Sequence, residues 1–253
     1  SRAETLGYPA EHVRALYQEG RALQWLNRMD EAIARYEAAL AASGSVTDVE
    51  LLNEIRTTAA AAYESEGRTA GAIELLAGLT TDIAAGETSA EQELARNLYE
   101  KGRLLNSTWR YAAAMADLQH SIEIQVADPE SPPWGLAGLE LGKAQYALGD
   151  PDAAETTIRR SLARMPPGER GALAEGWGLL ARITRQRGEF DSMSGYREKQ
   201  NALLNDDANR AAFLLDRGLD AMRQHGPGSS DAARFLREAR RSAAGSDVLS
   251  GHR

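Results

Sequence analysis

The residues that most often carry enzymatic chemistry are few and scattered in this chain. No histidine stands at a metal-ligand spacing from another; the four are His12, His120, His225 and His252. The absence of cysteine excludes thiol catalysis, a disulfide scaffold and cysteine-ligated metals. The stretch from Gly135 to Gly142 is rich in glycine, but no strand is predicted before it, as a dinucleotide-binding turn requires. The sequence therefore predicts a protein that is not an enzyme and that uses no metal and no cofactor.

Arginine and tyrosine recur in a pattern suited to binding. Two sets share the spacing i, i+3, i+7, namely Arg14, Tyr17, Arg21 and Arg96, Tyr99, Arg103. In a helix this spacing places three side chains on one stripe. Guanidinium groups hold carboxylates through paired hydrogen bonds, and tyrosine adds flat apolar contact area. The expected ligand of such a stripe is an acidic peptide or helix, or a chain-terminal carboxylate.

The overall charge is acidic, with 37 Asp and Glu against 29 Lys and Arg and a net charge of −8. Proteins that bind polyanions usually have the opposite balance, so no direct contact with nucleic acid is expected. No apolar run approaches the ~20 residues that span a bilayer, and no basic-plus-apolar leader is present, so no membrane contact is expected. With the absence of cysteine, these features predict a cytoplasmic protein.

The elements that must position these side chains follow a repeat. Small residues recur at intervals of 37 to 42 residues, at Gly20, Ala60, Gly102, Gly142, Ala181 and Gly218. Seven residues after the first five of them comes a break: Asn27, Gly67, Trp109, Gly149 and Gly188. This register predicts two antiparallel helices in each unit, which cross closely at the small residues.

The arrangement resembles the tetratricopeptide repeat (TPR) family, whose motif pairs Leu-Gly in one helix with Ala in the next, followed four positions later by a bulky aromatic residue. The best match is Leu141-Gly142 with Ala154, Ile158 and Pro166. The bulky position is held by Tyr36, Leu76, Leu118 and Ile158, and Arg197 departs from it. The units exceed the ~34 residues of that family and are similar to the longer repeats of kinesin light chains and of bacterial regulators.

The resemblance implies an all-α fold, a right-handed α-solenoid of about six helix–turn–helix repeats, whose first helices line a concave groove. We expect a single TPR-like superhelical domain over residues 1–253. Its repeats are expected at about 10–45, 46–86, 88–128, 131–166, 168–205 and 206–245, followed by a tail at 246–253.

In the resembled family, groove-facing positions lie at fixed offsets from the small residue of the first helix. Carried over to this chain, they give the expected partner-binding set: Arg14, Tyr17, Arg21, Arg96, Tyr99, Arg103, Lys143, Tyr146, Arg182 and Arg185. Four of the six units place a base directly after the small residue, which would form a basic stripe within an acidic chain. In the other interpretation these arginines are ordinary surface residues, neutralised by local pairing with Glu11, Glu19, Glu100 or Glu140, and the tyrosines pack between helices. Glu54 and Glu175 fall in the same groove register, so the stripe is not uniformly basic.

The resemblance implies a non-catalytic interaction scaffold that holds a protein or peptide, acidic in character, in its groove. The first alternative is a ligand- or peptide-sensing domain of a bacterial transcription or signalling regulator, with the same fold. The second is an enzyme whose site is assembled without a recognisable motif. The oligomeric state is not determined by the sequence.

Overall fold

The computed structural model of the chain describes residues 9–82, 88–127, 134–204 and 207–250. Within these ranges the regular structure is entirely helical, with twelve α-helices and a short 3-10 turn at Ala42–Ser45. In chain order the helices are α1 Pro9–Trp25, α2 Met29–Ala41, α3 Val49–Ser65, α4 Thr69–Asp82, α5 Thr88–Ser107, α6 Tyr111–Ala127, α7 Gly135–Ala147, α8 Pro151–Leu162, α9 Arg170–Arg187, α10 Phe190–Asn201, α11 Asp207–His225 and α12 Ser230–Ser250.

Consecutive helices pack in pairs, so that α1–α2, α3–α4, α5–α6, α7–α8, α9–α10 and α11–α12 are six hairpins. The predicted all-α fold of about six helix–turn–helix repeats is therefore confirmed. The last helix continues to Ser250, past the end expected at residue 245. The final three residues of the expected tail lie outside the described residues.

The five predicted breaks all lie in the tight turns between paired helices. Each has a positive φ: Asn27 (57°), Gly67 (71°), Trp109 (61°), Gly149 (88°) and Gly188 (76°). A residue in this left-handed conformation ends the first helix and lets the chain reverse within a few residues. The turn in repeat four is reinforced by Asp150, whose side chain accepts a hydrogen bond from the backbone of Ala153 at the start of α8.

The small residues lie where the paired helices cross, as predicted. A Cβ at Gly20 would lie 2.5 Å from the Tyr36 ring, and one at Gly102 would lie 2.6 Å from Leu118. The bulky residue thus fills the space that the missing side chain leaves. This close approach keeps the first and second helix of each repeat in a fixed register.

Contacts divide the chain into two compact units, unit 1 Ser1–Pro132 and unit 2 Pro133–Arg253. The core of unit 1 centres on Val13, Tyr36 and Ile55, and that of unit 2 on Ile158 and Leu180. Burying a side chain such as Ile158 contributes about 2 kcal/mol. A single superhelical domain over residues 1–253 remains a prediction.

Candidate functional site: the first-helix faces

All ten side chains of the expected binding set lie on first helices of repeats. Arg14, Tyr17 and Arg21 belong to α1, and the matching set of α5 belongs to the same unit. Unit 2 contributes Lys143 and Tyr146 from α7, and Arg182 and Arg185 from α9. We call the surface formed by α1, α3 and α5 the first-helix face of unit 1, and that formed by α7, α9 and α11 the first-helix face of unit 2.

Tyr17 lies in the core and not on the surface. Its side chain is 2% exposed, and its ring lies 5.9 Å from that of Tyr36. The Tyr17 hydroxyl donates a hydrogen bond of 2.8 Å to Glu54 and lies 3.1 Å from the hydroxyl of Thr58, both on α3. Burial raises the pKa of Tyr17 above its usual value. The structure thus corrects the expected exposure of Tyr17, which packs between helices and positions Glu54.

The two arginines that flank Tyr17 remain at the surface. Arg14 donates a hydrogen bond of 3.1 Å to Asp48, the residue that caps the start of α3. Arg21 is exposed, and its guanidinium lies 5.8 Å from the centre of the Tyr17 ring. Within the described residues Arg21 forms no ion pair. Arg21 is therefore available to an external carboxylate, whereas Arg14 is partly neutralised.

Arg103 joins α5 to α3 through a bidentate ion pair. Its two terminal nitrogens donate to the Glu64 carboxylate at 2.8 and 2.7 Å, and its Nε donates to Glu100 at 3.0 Å. These hydrogen bonds lower the pKa of Glu64 below its usual value and raise that of Arg103. Arg96, two helical turns earlier on the same stripe, is exposed and forms no ion pair with a described residue, and Tyr99 is half-buried. Of the α5 set, Arg96 is the exposed base.

In unit 2, Lys143 joins two first helices through ion pairs, as Arg103 does in unit 1. Its Nζ lies 2.8 Å from Glu140 on its own helix and 2.9 Å from Glu175 on α9. Burial by itself lowers the pKa of Lys143, but the two carboxylates outweigh this effect and the pKa is raised. Tyr146 is half-buried and packs against the unit 2 core. Lys143 therefore links two first helices.

Arg182 and Arg185 link α9 to α11. Arg182 donates to Asp216 at 3.2 Å and is 44% exposed, whereas Arg185 donates to Asp220 at 3.0 Å and is 18% exposed. Both carboxylates also bind a third guanidinium, that of Arg197 on α10. Neither aspartate belonged to the expected set.

The Arg197 side chain is completely buried. It donates to Asp220 at 2.6 and 3.2 Å, to Asp216 at 3.1 Å and to Gln200 at 2.8 Å. Arg197 holds the position that an apolar residue takes in the first four repeats. This departure is visible in the sequence, but its partners lie 19 and 23 residues later and share no motif with it. The three arginines and two aspartates leave one positive charge in excess.

A cavity of about 590 Å³ lies beside this cluster, between α9, the end of α10 and α11. Its apolar wall includes Ala174, Leu204, Ala212, Phe213 and Leu215. Its polar wall includes Glu175, Arg182, Gln200 and Asp216. Since Arg182 and Leu215 are exposed, the cavity opens to solvent on the first-helix face of unit 2.

Acids thus neutralise most of the basic stripe. Five of the seven bases in the expected set form ion pairs with acids: Arg14, Arg103, Lys143, Arg182 and Arg185. In the described part of the chain no group of three His, Asp or Glu side chains is arranged to hold a metal ion. No helix of the described residues is both long enough and apolar enough to cross a membrane.

No protein-family model matches the chain, and no curated protein matches its sequence. Solved structures do match. RapI in its apo form is 14% identical with a TM-score of 0.80, over 99% of this chain and 69% of RapI. A TPR protein from Parabacteroides merdae is 19% identical with a TM-score of 0.58, over 99% of this chain and 93% of that protein.

The TPR-like repeats of a kinesin light chain-like protein from Podosopora anserina are 20% identical with a TM-score of 0.60, over 78% of this chain and 95% of that one. At these identities the likeness shows the fold, which is that of tetratricopeptide repeats. The resemblance inferred from the spacing of small residues is therefore confirmed at the level of the fold.

Proposed function

We propose that this chain, a protein with the TPR-like fold, is a non-catalytic scaffold that holds a segment of a partner protein against its first-helix faces. The cavity beside Arg182 carries the proposal, because it offers an apolar recess next to a surface cation. Protein-binding sites combine a buried apolar anchor with a few charged contacts around it. A partner segment that presents an apolar side chain beside a carboxylate would match both features.

Arg182 is suited to an external carboxylate because its release leaves no buried charge unpaired. It makes one hydrogen bond of 3.2 Å to Asp216 and is 44% exposed. Asp216 keeps its second partner, the buried Arg197, at 3.1 Å when Arg182 turns away. Exchange of one carboxylate for another at Arg182 therefore costs little desolvation.

The first-helix face of unit 1 supplies two further surface cations. Arg21 and Arg96 are exposed and form no ion pair with a described residue. Both belong to the spacing pattern that first suggested an acidic ligand. The acidic character of the partner segment is thus part of the proposal for unit 1 as well as for unit 2. A cytoplasmic location, compatible with the lack of cysteine, belongs to the same proposal.

Random peptides displayed on phage and selected on the full chain test this function. Selected peptides are then measured by fluorescence polarisation against wild type and two single variants. Ala212→Phe fills the cavity, and Arg182→Gln removes its cation. We expect both to weaken binding by about tenfold or more, and peptides with apolar and acidic residues to dominate the selection.

The matched control is Arg234→Gln, an exposed arginine on α12 that forms a surface ion pair with Asp231. It removes the same charge away from both faces and should leave the affinity unchanged. A third variant, Arg96→Gln, removes an exposed cation from the first-helix face of unit 1. If the selected peptides bind all three variants as tightly as wild type, the first-helix faces are not the binding site.

The cavity also favours a second candidate function, the sensing of a small ligand in a bacterial regulator. Its volume of about 590 Å³ lies within the ~300–1,000 Å³ usual for small-molecule sites. A thermal-shift screen of small apolar carboxylates addresses this function. Stabilisation by one compound in the wild type, but not in Ala212→Phe, would favour it, and no stabilisation by any compound would count against it.

A further inference from the structure

Three large apolar side chains stand out at one edge of unit 1. Trp25 is 86% exposed, Trp109 is 81% exposed and Leu26 is 66% exposed, which makes them the most exposed large apolar residues among those described. Trp25 is the last residue of α1, Leu26 follows it in the turn of the first repeat, and Trp109 lies in the turn of the third repeat. Exposed tryptophan is unusual on a surface that has no partner, because it carries a large apolar area into water.

The hairpin turns of unit 1 lie along one edge because the repeats are in register. Tyr17 on α1 binds Glu54 on α3, and Glu64 on α3 binds Arg103 on α5, so the three first helices end at the same side. We define the turn edge of unit 1 as residues 25–31, 65–69 and 107–111. Trp25 and Trp109 lie on either side of the polar turn at Gly67, on the order of 20 Å apart for helices packed side by side.

The backbone of Trp109 also adopts a conformation that is unfavourable for a residue with a side chain. Its φ is +61°, whereas the equivalent residue is glycine in the second, fourth and fifth repeats. A side chain disfavours this left-handed region, and glycine does not. A tryptophan that is both exposed and strained stabilises neither its turn nor a core. Such a combination points to a role in recognition.

The charges at the two ends of the turn edge complement each other. In the first turn, Arg28 is paired with Glu31 at 2.6 Å, and the exposed Asp30 has no ion pair with a described residue. In the third turn, Arg110 is exposed without a side-chain partner among the described residues, and the first turn of α6 contains no acid. The two ends of the edge therefore carry opposite unpaired charges. In the middle turn, Arg68 pairs with Glu37 on α2 at 3.7 Å, and the exposed Glu66 forms no ion pair with a described residue.

We propose that the turn edge of unit 1 pairs with the same edge of a second copy of this chain about a two-fold axis near Gly67. A two-fold axis at the middle turn exchanges the first and third turns. Trp25 of each copy then lies opposite Trp109 of the other, and Asp30 opposite Arg110. A uniformly acidic or basic partner would match only one end of the edge, whereas a second copy matches both.

The available area is adequate for a reversible dimer. Two tryptophans, at ~150–250 Å² each when buried, together with Leu26 supply about half of the ~800 Å² that each partner contributes to a standard interface. The backbone and polar side chains of the three turns supply the remainder. Tryptophan and arginine are the residues that most often dominate such interfaces. This surface is separate from the first-helix faces, and the proposal does not depend on the function proposed for them.

Sedimentation velocity of the full chain tests the pairing. From about 1 to about 100 μM, the range that suits an interface of this size, we expect a shift from monomer to dimer in the wild type. Trp25→Gln and Trp109→Gly should each lower the association constant by about tenfold or more. Trp109→Gly should leave the melting temperature unchanged or higher, since glycine relieves the turn. The matched control is Leu148→Gln in the turn of repeat four, where Leu148 is 52% exposed, and it should not change the association.

An exchange of charges between Asp30 and Arg110 distinguishes the two-fold arrangement from non-specific association. Asp30→Arg and Arg110→Asp should each weaken the dimer, since each places like charges opposite one another, and the double variant should restore it. A wild type that stays monomeric over the whole range overturns the proposal, even if the edge then proves to bind another protein. A dimer that survives both tryptophan substitutions, or a double charge variant no better than the single ones, overturns it too.

Discussion

The buried guanidinium of Arg197 is the most consequential polar feature of unit 2. It is completely buried and makes four hydrogen bonds, two of them to Asp220, which is 3% exposed. Removing one partner of a buried ion pair costs about 3–5 kcal/mol, because the remaining charge stays out of water. In Asp220→Ala, Arg197 keeps Asp216 and Gln200, so we expect the lower part of this range, about 3 kcal/mol.

Replacing both partners should cost much less than the single change. In the double variant Arg197→Met, Asp220→Leu no buried charge is left without a partner, and Arg185, at 18% exposure, can turn to solvent. Exchange of a buried ion pair for apolar residues is often neutral. We therefore expect the double variant within about 1–2 kcal/mol of wild type, and a favourable coupling of at least about 2 kcal/mol between the two changes.

Urea unfolding followed by tryptophan emission and by circular dichroism measures these differences. Trp177 stacks on Tyr196 with ring centres 5.8 Å apart, so its emission reports on the helices around Arg197. A loss of 3 kcal/mol corresponds to a melting temperature lower by roughly 6–12 °C in a chain of this size. The exposed pair of Asp231 and Arg234 gives the control, and Asp231→Ala should have little effect. Asp220→Ala with less than about 1 kcal/mol of destabilisation, or a double variant as unstable as the sum of the single ones, would refute the reasoning.

Two further predictions follow from packing and from pH. Gly142→Ala should destabilise the chain by about 1–2 kcal/mol in thermal melts, because the added Cβ would meet Ile158. Gly195→Ala has nothing within 4 Å of the added Cβ and should stabilise the chain by about 0.5–1 kcal/mol. A change of the same sign in both variants would contradict this prediction. The pKa of Glu64 is lowered from its ordinary value of 4.5 by its pairing with Arg103. The stabilisation from this pair is therefore fully present above pH 4.5 and is lost as the pH falls through the lowered pKa. Urea midpoints between about pH 6 and pH 3 should therefore fall less steeply in Glu64→Gln than in wild type, and parallel curves would show that the pair does not contribute.

The architecture could be predicted because it depends on local rules. The small residue of a first helix, such as Gly20, and the bulky residue of the second, such as Tyr36, lie 16 positions apart and must touch if the two helices cross. The left-handed turn residue between them follows from the length of the hairpin. The turn residue recurs in the first five units and the pair of small and bulky residues in the first four, so that one register explains most of the series. Even the non-glycine residues Asn27 and Trp109 adopt the conformation that their place in the series requires.

The charges of the first-helix faces could be predicted only in part. The sequence placed the bases on first helices, but the partners of Arg103 and Arg185 lie 39 and 35 residues away in an adjacent repeat. Which acid reaches which base depends on how far successive helices are shifted along their axes. A shift of one residue would move Glu64 away from Arg103, and no local pattern reports that shift. The packing of Tyr17 between helices was one of two interpretations that the sequence left open, because the partner of its hydroxyl lies on α3 in the next repeat.

The two faces therefore differ in how readily a ligand can compete for their cations. Releasing Arg103 from Glu64 breaks two short hydrogen bonds of a bidentate pair, and no second cation among the described residues pairs with Glu64 to replace the loss. Releasing Arg182 breaks one bond of 3.2 Å, and Arg197 continues to neutralise Asp216. Since the desolvation of a carboxylate left without a partner opposes binding, a ligand gains more from Arg182 than from Arg103. In unit 1 the proposed acidic ligand would therefore rely on Arg21 and Arg96, which form no ion pair with a described residue.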